Sequence, residues 1–197
     1  MHEARHAPAT ARNREALLEV LRRHFPERGL VVEVGSGTGE HTAFFSQHFD
    51  ELEFQPTDVE PENHGSVCAH TRDLPNVRPP LQLDAAAWPW PIEAADVLLA
   101  INVIHISPPE VLSGLMRGAG ELLSTGGLLF TYGPYRIGGE QTAPSNAQFE
   151  LWLKSLDPRF GVRDLEQVMR EAEAHELEFV ERVAMPANNF TLVFRRR

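Results

Sequence analysis

The densest run of chemically capable residues is Glu33-Val-Gly35-Ser-Gly37-Thr-Gly39. Glycines at this spacing let a backbone turn sharply and approach a ligand closely, and the helix expected from Glu40 onward would aim its free N–H groups at the same point. A dinucleotide loop reads G-x-G-x-x-G, with its third glycine one place later than Gly39. The G-x-G-x-G spacing, with Ser36 inside it, suits a nucleoside ligand without a pyrophosphate better than it suits NAD. Glu33 interrupts an apolar strand, and a buried carboxylate is costly unless a partner satisfies it. The amino group of a methionine moiety would be such a partner; so would a nearby Arg or a backbone N–H. Asp58 lies 19 residues beyond Gly39, where an acid can hold a ribose diol, or else cap a helix beginning at Pro61. Asp84 can accept a hydrogen bond from an adenine amino group, with the aromatics of DAAAWPW packing on the purine; the plainer alternative is a loop acid beside core tryptophans.

A second group of polar residues suggests where an acceptor would sit. Asn102-Val-Ile-His105 closes an apolar strand, and His105 is a candidate catalytic group or a packed, capping residue. Tyr132 and Tyr135 flank Gly133-Pro134 after another strand; Tyr132 is a candidate catalytic residue, and Tyr135 a candidate for the substrate pocket or for the core. Asn188 and Asn189 stand in a short turn and would face the same crevice, unless they serve only the turn. Such uncharged donors and acceptors fit a neutral or zwitterionic small molecule and not a polyanion.

The elements that must position these groups alternate between helix and strand. Leu17, Leu18, Leu21 and Phe25 share one face of a helix over 12–24. Short apolar runs at 30–34, 52–56, 77–83, 96–102 and 128–132 read as buried strands. Helices are expected over 40–48, 61–72, 110–123, 149–156 and 165–175, with Gly126-Gly127 ending the third of them and residues 133–147 forming a loop. Runs at 179–184 and 190–194 are close enough for a hairpin. This pattern predicts an α/β fold: a three-layer, doubly wound, mostly parallel sheet with an antiparallel C-terminal strand, as one domain over 1–197. Ligands of such sheets sit beyond the carboxyl ends of the strands, so the residues named above should line one crevice.

The order of EVGSGTG, QPTD, LDAAAWPW, INVIHISP, LLFTYGPY, SNAQFELWL, DPRFGVRD and PANN resembles a small family of methyltransferase-like proteins, classed as a domain of unknown function, with bacterial and animal members. The resemblance runs from ATARN near residue 9 to the last strand. It departs at Val34-Gly35-Ser36, where the family often carries Ala-Ser and where small residues are kept. What it implies is a Rossmann-like class I methyltransferase fold, S-adenosylmethionine as cofactor, and Asn13, next to Arg12, facing that cofactor. On this reading Glu33, Gly35, Ser36, Gly37, Gly39, Asp58, Asp84 and Asn102 would complete the cofactor site.

Composition narrows the partners. A net charge of −10 with scattered basic residues repels phosphate backbones, and an aromatic content of 8% offers little base-stacking surface, so no nucleic acid is expected. No apolar run reaches the ~18 residues of a membrane span, and the N-terminal stretch lacks the apolar core of a secretory signal. The single cysteine, Cys68, excludes an internal disulfide, no metal site is evident, and a cytoplasmic protein is expected. The expected activity is methyl transfer to a small polar substrate. The competing classes are a cofactor-binding protein that acts through a partner and an NAD-dependent oxidoreductase. The Asn-Pro-Pro-aromatic motif of amino-group methyltransferases is absent at Asn102.

Overall fold

A computed structural model describes residues 3–197. Pro8 sets the first turn of α1 (Pro8–His24), since proline's fixed φ suits a position whose N–H is unpaired anyway. There follow β1 (Gly29–Val34), α2 (Glu40–Ser46), β2 (Leu52–Asp58), α3 (Pro61–Thr71), β3 (Leu81–Gln82), β4 (Ala95–Ile101), α4 (Glu110–Leu122) and β5 (Leu123–Gly133). The remainder comprises β6 (Tyr135–Ile137), β7 (Glu140–Gln141), α5 (Pro144–Leu156), β8 (Arg163–Asp164), α6 (Leu165–Ala174), β9 (Leu177–Met185), a 3₁₀ turn and β10 (Asn189–Arg196).

The seven-stranded sheet has the order β3-β2-β1-β4-β5-β10-β9. Neighbours from β3 to β5 pair in parallel, whereas β10 is antiparallel to both β5 and β9. Alternate residues of the central strands feed two separate cores. Val32 and Leu98 pack with Leu115 of α4 and Val168 of α6, while Val31 and Leu99 pack with Leu17 and Leu21 of α1 and Phe45 of α2. Strands buried on both faces need no polar alternation, which is why LVVEV and DVLLAI read as continuous apolar runs. The helices form the two outer layers.

Three local expectations are corrected. The strand expected over 77–83 shrinks to Leu81–Gln82 plus an isolated bridge between Phe54 and Val77, because Pro79 and Pro80 donate no ladder hydrogen bonds. Gly126-Gly127 does not end α4. The helix stops at Leu122, Leu123 is already extended, and the glycines fall in a register shift between β4 and β5. The expected loop over 133–147 instead holds β6 and β7, which join β8 in a small three-stranded sheet, and α5 starts early, on Pro144.

The turn from β1 into α2 depends on Gly39, the α2 N-cap, at φ +87°. A Cβ there would lie 2.6 Å from the Val67 backbone of α3, whereas one on Gly37 (φ +55°) would meet nothing within 4 Å. Gly37→Ala should therefore cost only the roughly 1–2 kcal/mol of left-handed backbone. Gly39→Ala adds a backbone collision and should cost clearly more. Urea denaturation of the two variants checks this, and equal losses would contradict it.

Candidate functional site

The carboxyl ends of β1, β2 and β4 open onto a cavity of about 790 Å³. Gly35, Asp58 and Asn102 line its base, and Leu83, Val59 and Ile106 supply apolar walls. Val59 and Ile106 are unusually exposed for their type, at 48% and 40%, so the cavity offers an apolar slot to a flat ligand. Its charge is lopsided: Asp58, Glu60, Asp84, Glu110 and Asp157 face a single cation, Arg159, which is itself hydrogen-bonded to Asp157 at 2.7 Å.

Asp58 is buried and organises the loops around it. One oxygen accepts the Gly37 N–H at 2.8 Å. The other accepts the Glu60 N–H at 3.0 Å and the Asn63 amide at 2.8 Å. An ionised carboxylate has about four acceptor positions, so these three bonds leave room for a further donor. Beneath it, Glu33 is 3% exposed and accepts the Thr42 hydroxyl. Burial pushes the Glu33 carboxyl up to about 7, against the opposing pull of the Thr42 and Ser36 hydroxyls; the negative charge of Asp58 raises it further. Glu33 forms no ion pair among the described residues.

A second cavity of about 500 Å³ lies on the other side of Asn102, which lines both. Asn102 holds a left-handed backbone at φ +62°, a conformation asparagine adopts more readily than most residues. Its N–H donates to the Tyr132 carbonyl at 2.8 Å, and its carbonyl accepts the Ile106 N–H at 3.2 Å. Arg12, Asn13, Tyr132, Asn146, Phe149 and Asn189 form much of the second cavity's wall. Burial raises the Tyr132 pKa while hydrogen bonds to Asn13 and Asn189 oppose the shift, so the phenol stays neutral. The Asn146 amide reaches across to the Asn188 carbonyl at 3.0 Å, tying α5 to the β9–β10 turn.

A family described as "Protein of unknown function (DUF938)" matches residues 4–196. The chain belongs to that family. Among solved structures it is similar to an O-methyltransferase family protein from Burkholderia thailandensis (TM-score 0.79, 16% identity), over 92% of this chain and 55% of that one. It is also similar to human N-acetylserotonin methyltransferase in complex with SAM (TM-score 0.72, 16% identity, 93% and 54% of the two chains). A putative sarcosine dimethylglycine methyltransferase from Galdieria sulphuraria matches at TM-score 0.76 and 11% identity, over 93% of this chain and 84% of that one. The chain thus spans just over half the length of the first two. At these identities the likeness concerns the fold, which is that of Rossmann-like methyltransferases.

The candidate residues of this DUF938 member separate into groups. Gly35, Asp58, Asp84 and Asn102 line the first cavity. Asn13, expected toward the cofactor, lines the second cavity with Tyr132 and Asn189, and its side-chain oxygen bonds His41 at 2.8 Å. Ser36 is occupied in joining β1 to β2: its N–H donates to the Thr57 carbonyl at 2.8 Å and its hydroxyl accepts the Thr57 N–H at 3.2 Å. Gly37 and Gly39 shape the loop from outside the cavity wall.

Four expectations are corrected. His105 is fully buried and lines neither cavity, because the chain after Asn102 turns inward. Its Nδ1 accepts the Arg163 N–H at 3.2 Å, its ring packs edge-on against Tyr135, and burial, with Arg163 adding to it, depresses its pKa to about 3. It is a neutral packing residue. Tyr135 is fully buried too and donates to the Thr131 hydroxyl at 2.8 Å, so it belongs to the core and not to a pocket. The Asn188 side chain donates to Ser145 at 3.1 Å on the exposed rim, and its left-handed φ of +60° shows that turn geometry selects it. Trp90 is 5% exposed in the core, with Trp88 packed against it, so neither aromatic lines the first cavity.

Sequence reading missed the N-terminal arm. His6, Glu40 and His70 bring their ligating atoms within 4.8 Å of one another, and Glu40 also accepts the Ala7 N–H at 2.6 Å and the Thr38 hydroxyl at 3.0 Å. No spacing in the sequence signals this, since its members come from three separate segments. The same holds for Asn146 and Phe149, which reach the second cavity only because α5 begins at Pro144.

The raised Glu33 pKa carries a sign. A carboxyl that binds its proton more tightly when folded supports stability fully below its ordinary value of 4.5 and loses that support as pH rises toward 7. Glu33→Gln should therefore stabilise the ligand-free protein at pH 8 by on the order of 3 kcal/mol and give no gain near pH 4.5. Thermal melts of both proteins across that range check this; a difference independent of pH would refute it. The comparison isolates Glu33 from the buried His41 and His105, whose depressed pKa values act below about 6.5 and in the opposite sense.

Proposed function

We propose that the protein binds S-adenosylmethionine in the first cavity and transfers its methyl group to a small polar molecule held in the second. The observation that carries this reading is Asn102, the residue shared by both cavities. It marks where the contents of one cavity could meet the contents of the other.

The residues present fit this cofactor. It is a cation, and the first cavity is rich in carboxylates. Glu33 does not itself line that cavity, but it directly precedes the lining residue Val34 and is a buried acid with no cationic partner among the described residues, which would suit an ammonium group. Asp58 retains acceptor capacity for a ribose hydroxyl, and the apolar faces of Leu83, Val59 and Ile106 suit a purine. When bound, the cofactor supplies a methyl group on a positively charged sulfur, and transfer leaves a neutral thioether as the acceptor's lone pair forms the new bond.

The protein's own contribution is alignment and exclusion of water, which account for much of the rate in an in-line displacement. Tyr132, which lines the second cavity with Asn13 and Asn189, orients the acceptor as a neutral hydrogen-bonding group. Its raised pKa keeps the phenol protonated and unable to accept a proton, so an acceptor that carries a proton releases it to solvent. Arg12 and Phe149 complete the acceptor site.

A second reading, in which the cofactor-bound protein acts through a partner, is favoured by α5, which exposes Leu151, Trp152 and Leu156 at 71%, 50% and 54%. Incubating cell metabolite extract with methyl-labelled cofactor separates the two. A labelled small product supports the enzyme; cofactor binding with no such product supports the partner-acting protein.

Calorimetry should detect saturable binding of S-adenosylmethionine and S-adenosylhomocysteine and none of NAD; the reverse pattern would overturn the assignment. Asp58→Ala should weaken cofactor binding by about 1.5–3 kcal/mol. It should also lower the melting temperature, because the Gly37, Glu60 and Asn63 donors lose their acceptor. Tyr132→Phe should reduce turnover while leaving S-adenosylhomocysteine affinity unchanged, which equilibrium binding and steady-state assays together would verify.

A further inference from the structure

The charge of the two cavities differs in sign. The chain carries 28 acidic residues against 18 Lys and Arg, and the first cavity follows that excess. The second does not: among the described residues no Asp or Glu lines it, and its one charged side chain is Arg12. Arg12 stands on the exposed side of α1, and no carboxylate among the described residues pairs with it. Two titratable groups at or beside the wall leave this balance unchanged. Tyr132 is neutral, and His41, bonded to Asn13, is held neutral by burial, with its pKa depressed to about 4.

The rest of the wall combines two chemistries. Asn13, Asn146, Asn189 and Tyr132 contribute amide and phenol groups, and Phe149 contributes an aromatic ring. That ring is stacked on Trp152 at 5.5 Å between centroids, which limits its freedom to swing away. A guanidinium is a planar fork that matches a carboxylate with two parallel hydrogen bonds. A second negative charge on a ligand would find no second cation, and a ligand ammonium would find no carboxylate.

We infer that the methyl acceptor is a small organic monoanion with a flat apolar body, its carboxylate paired with Arg12 and its ring laid against Phe149. This rests on the reading of the second cavity as the acceptor site. It departs from the neutral or zwitterionic ligand expected from sequence and replaces it with an acid of one negative charge.

The test uses full-length protein and four probes: benzoate, its neutral isostere benzamide, the dianion phthalate and the zwitterion phenylalanine. Calorimetry first measures S-adenosylhomocysteine affinity, and ligand-observed NMR then ranks the probes with that compound saturating. Benzoate should bind most tightly, with a preference over benzamide of about tenfold, the scale of a charge-assisted pair. Arg12→Gln should remove that preference while keeping the melting temperature and S-adenosylhomocysteine affinity of the parent, since Arg12 lies outside the first cavity and the core. Equal binding of benzoate and benzamide, no benzoate binding, tighter binding of phthalate or phenylalanine, or a preference that survives Arg12→Gln would each overturn the inference. A protein that binds S-adenosylhomocysteine without ranking the probes as stated loses only this inference. One that ranks them so but binds no S-adenosylhomocysteine or S-adenosylmethionine loses the proposed cofactor and keeps the anion site.

Discussion

Two carboxylates without a cation stand at the carboxyl ends of adjacent strands, Glu33 near the end of β1 and Asp58 at the end of β2, and much of the site is arranged around them. The Asp58 charge adds to the burial that raises Glu33. The chain answers with neutral donors: the Thr42 hydroxyl on Glu33, and the Gly37 and Glu60 N–H groups with the Asn63 amide on Asp58. Those bonds fix the glycine loop to β2 and to α3. Neutral donors satisfy hydrogen-bonding capacity but do not cancel charge, so Asp58 leaves its part of the first cavity's wall electronegative. A cationic ligand would neutralise it, and binding such a ligand would stabilise the fold.

Asn102 converts that cavity into half of a divided site. Its left-handed backbone turns the chain inward after β4, carrying His105 into the core and leaving the Asn102 side chain on the boundary of both cavities. Gly133 permits the crowding: a Cβ there would stand 2.5 Å from His105 Nε2 and 3.2 Å from the Asn102 side-chain oxygen. A buried, neutral His105 thus serves alignment through packing. Acidic residues collect on one side of the boundary and the lone Arg12 on the other. With the proposed contents this is a sensible division, because methyl transfer joins an electron-poor donor to an electron-rich acceptor and two separate fields can hold each in place before they meet.

Some of this was legible in sequence and some was not, for physical reasons. The central strands were readable because burial on both faces leaves unbroken apolar runs, and the sites at their ends followed from the rule for parallel sheets. Asp58 and Asn102 were found that way, as strand-end residues. His105 and Tyr135 misled because a polar type next to a strand end is ambiguous between a cavity and the core, and only the direction of the following backbone decides. Ser36 misled differently: its glycine-rich setting suggested a ligand contact, but its hydrogen-bonding groups hold β2. The second cavity was half-legible. Tyr132 and Asn189 come from paired strands, β5 and β10, whereas Asn146 and Phe149 depend on where α5 begins, and the sequence between 133 and 147 reads as loop.

The N-terminal arm shows why the two cavities are mechanically linked although they share little surface. Glu40 opens α2 directly after the glycine loop. Burial alone would raise its pKa, yet hydrogen bonds from Ala7, His6 and Thr38 together hold it below the ordinary carboxylate value, so it is an anion that those groups stabilise. Its bond to the Ala7 N–H seats the start of α1, and α1 carries Arg12 and Asn13 one turn further on. The residue that begins the helix behind the first cavity therefore also sets the register of the helix that lines the second. Loss of order in the glycine loop would loosen Glu40, then the α1 start, then the positions of Arg12 and Asn13 in the second cavity's wall. The second cavity is in this sense built on the first, through one carboxylate and a backbone N–H.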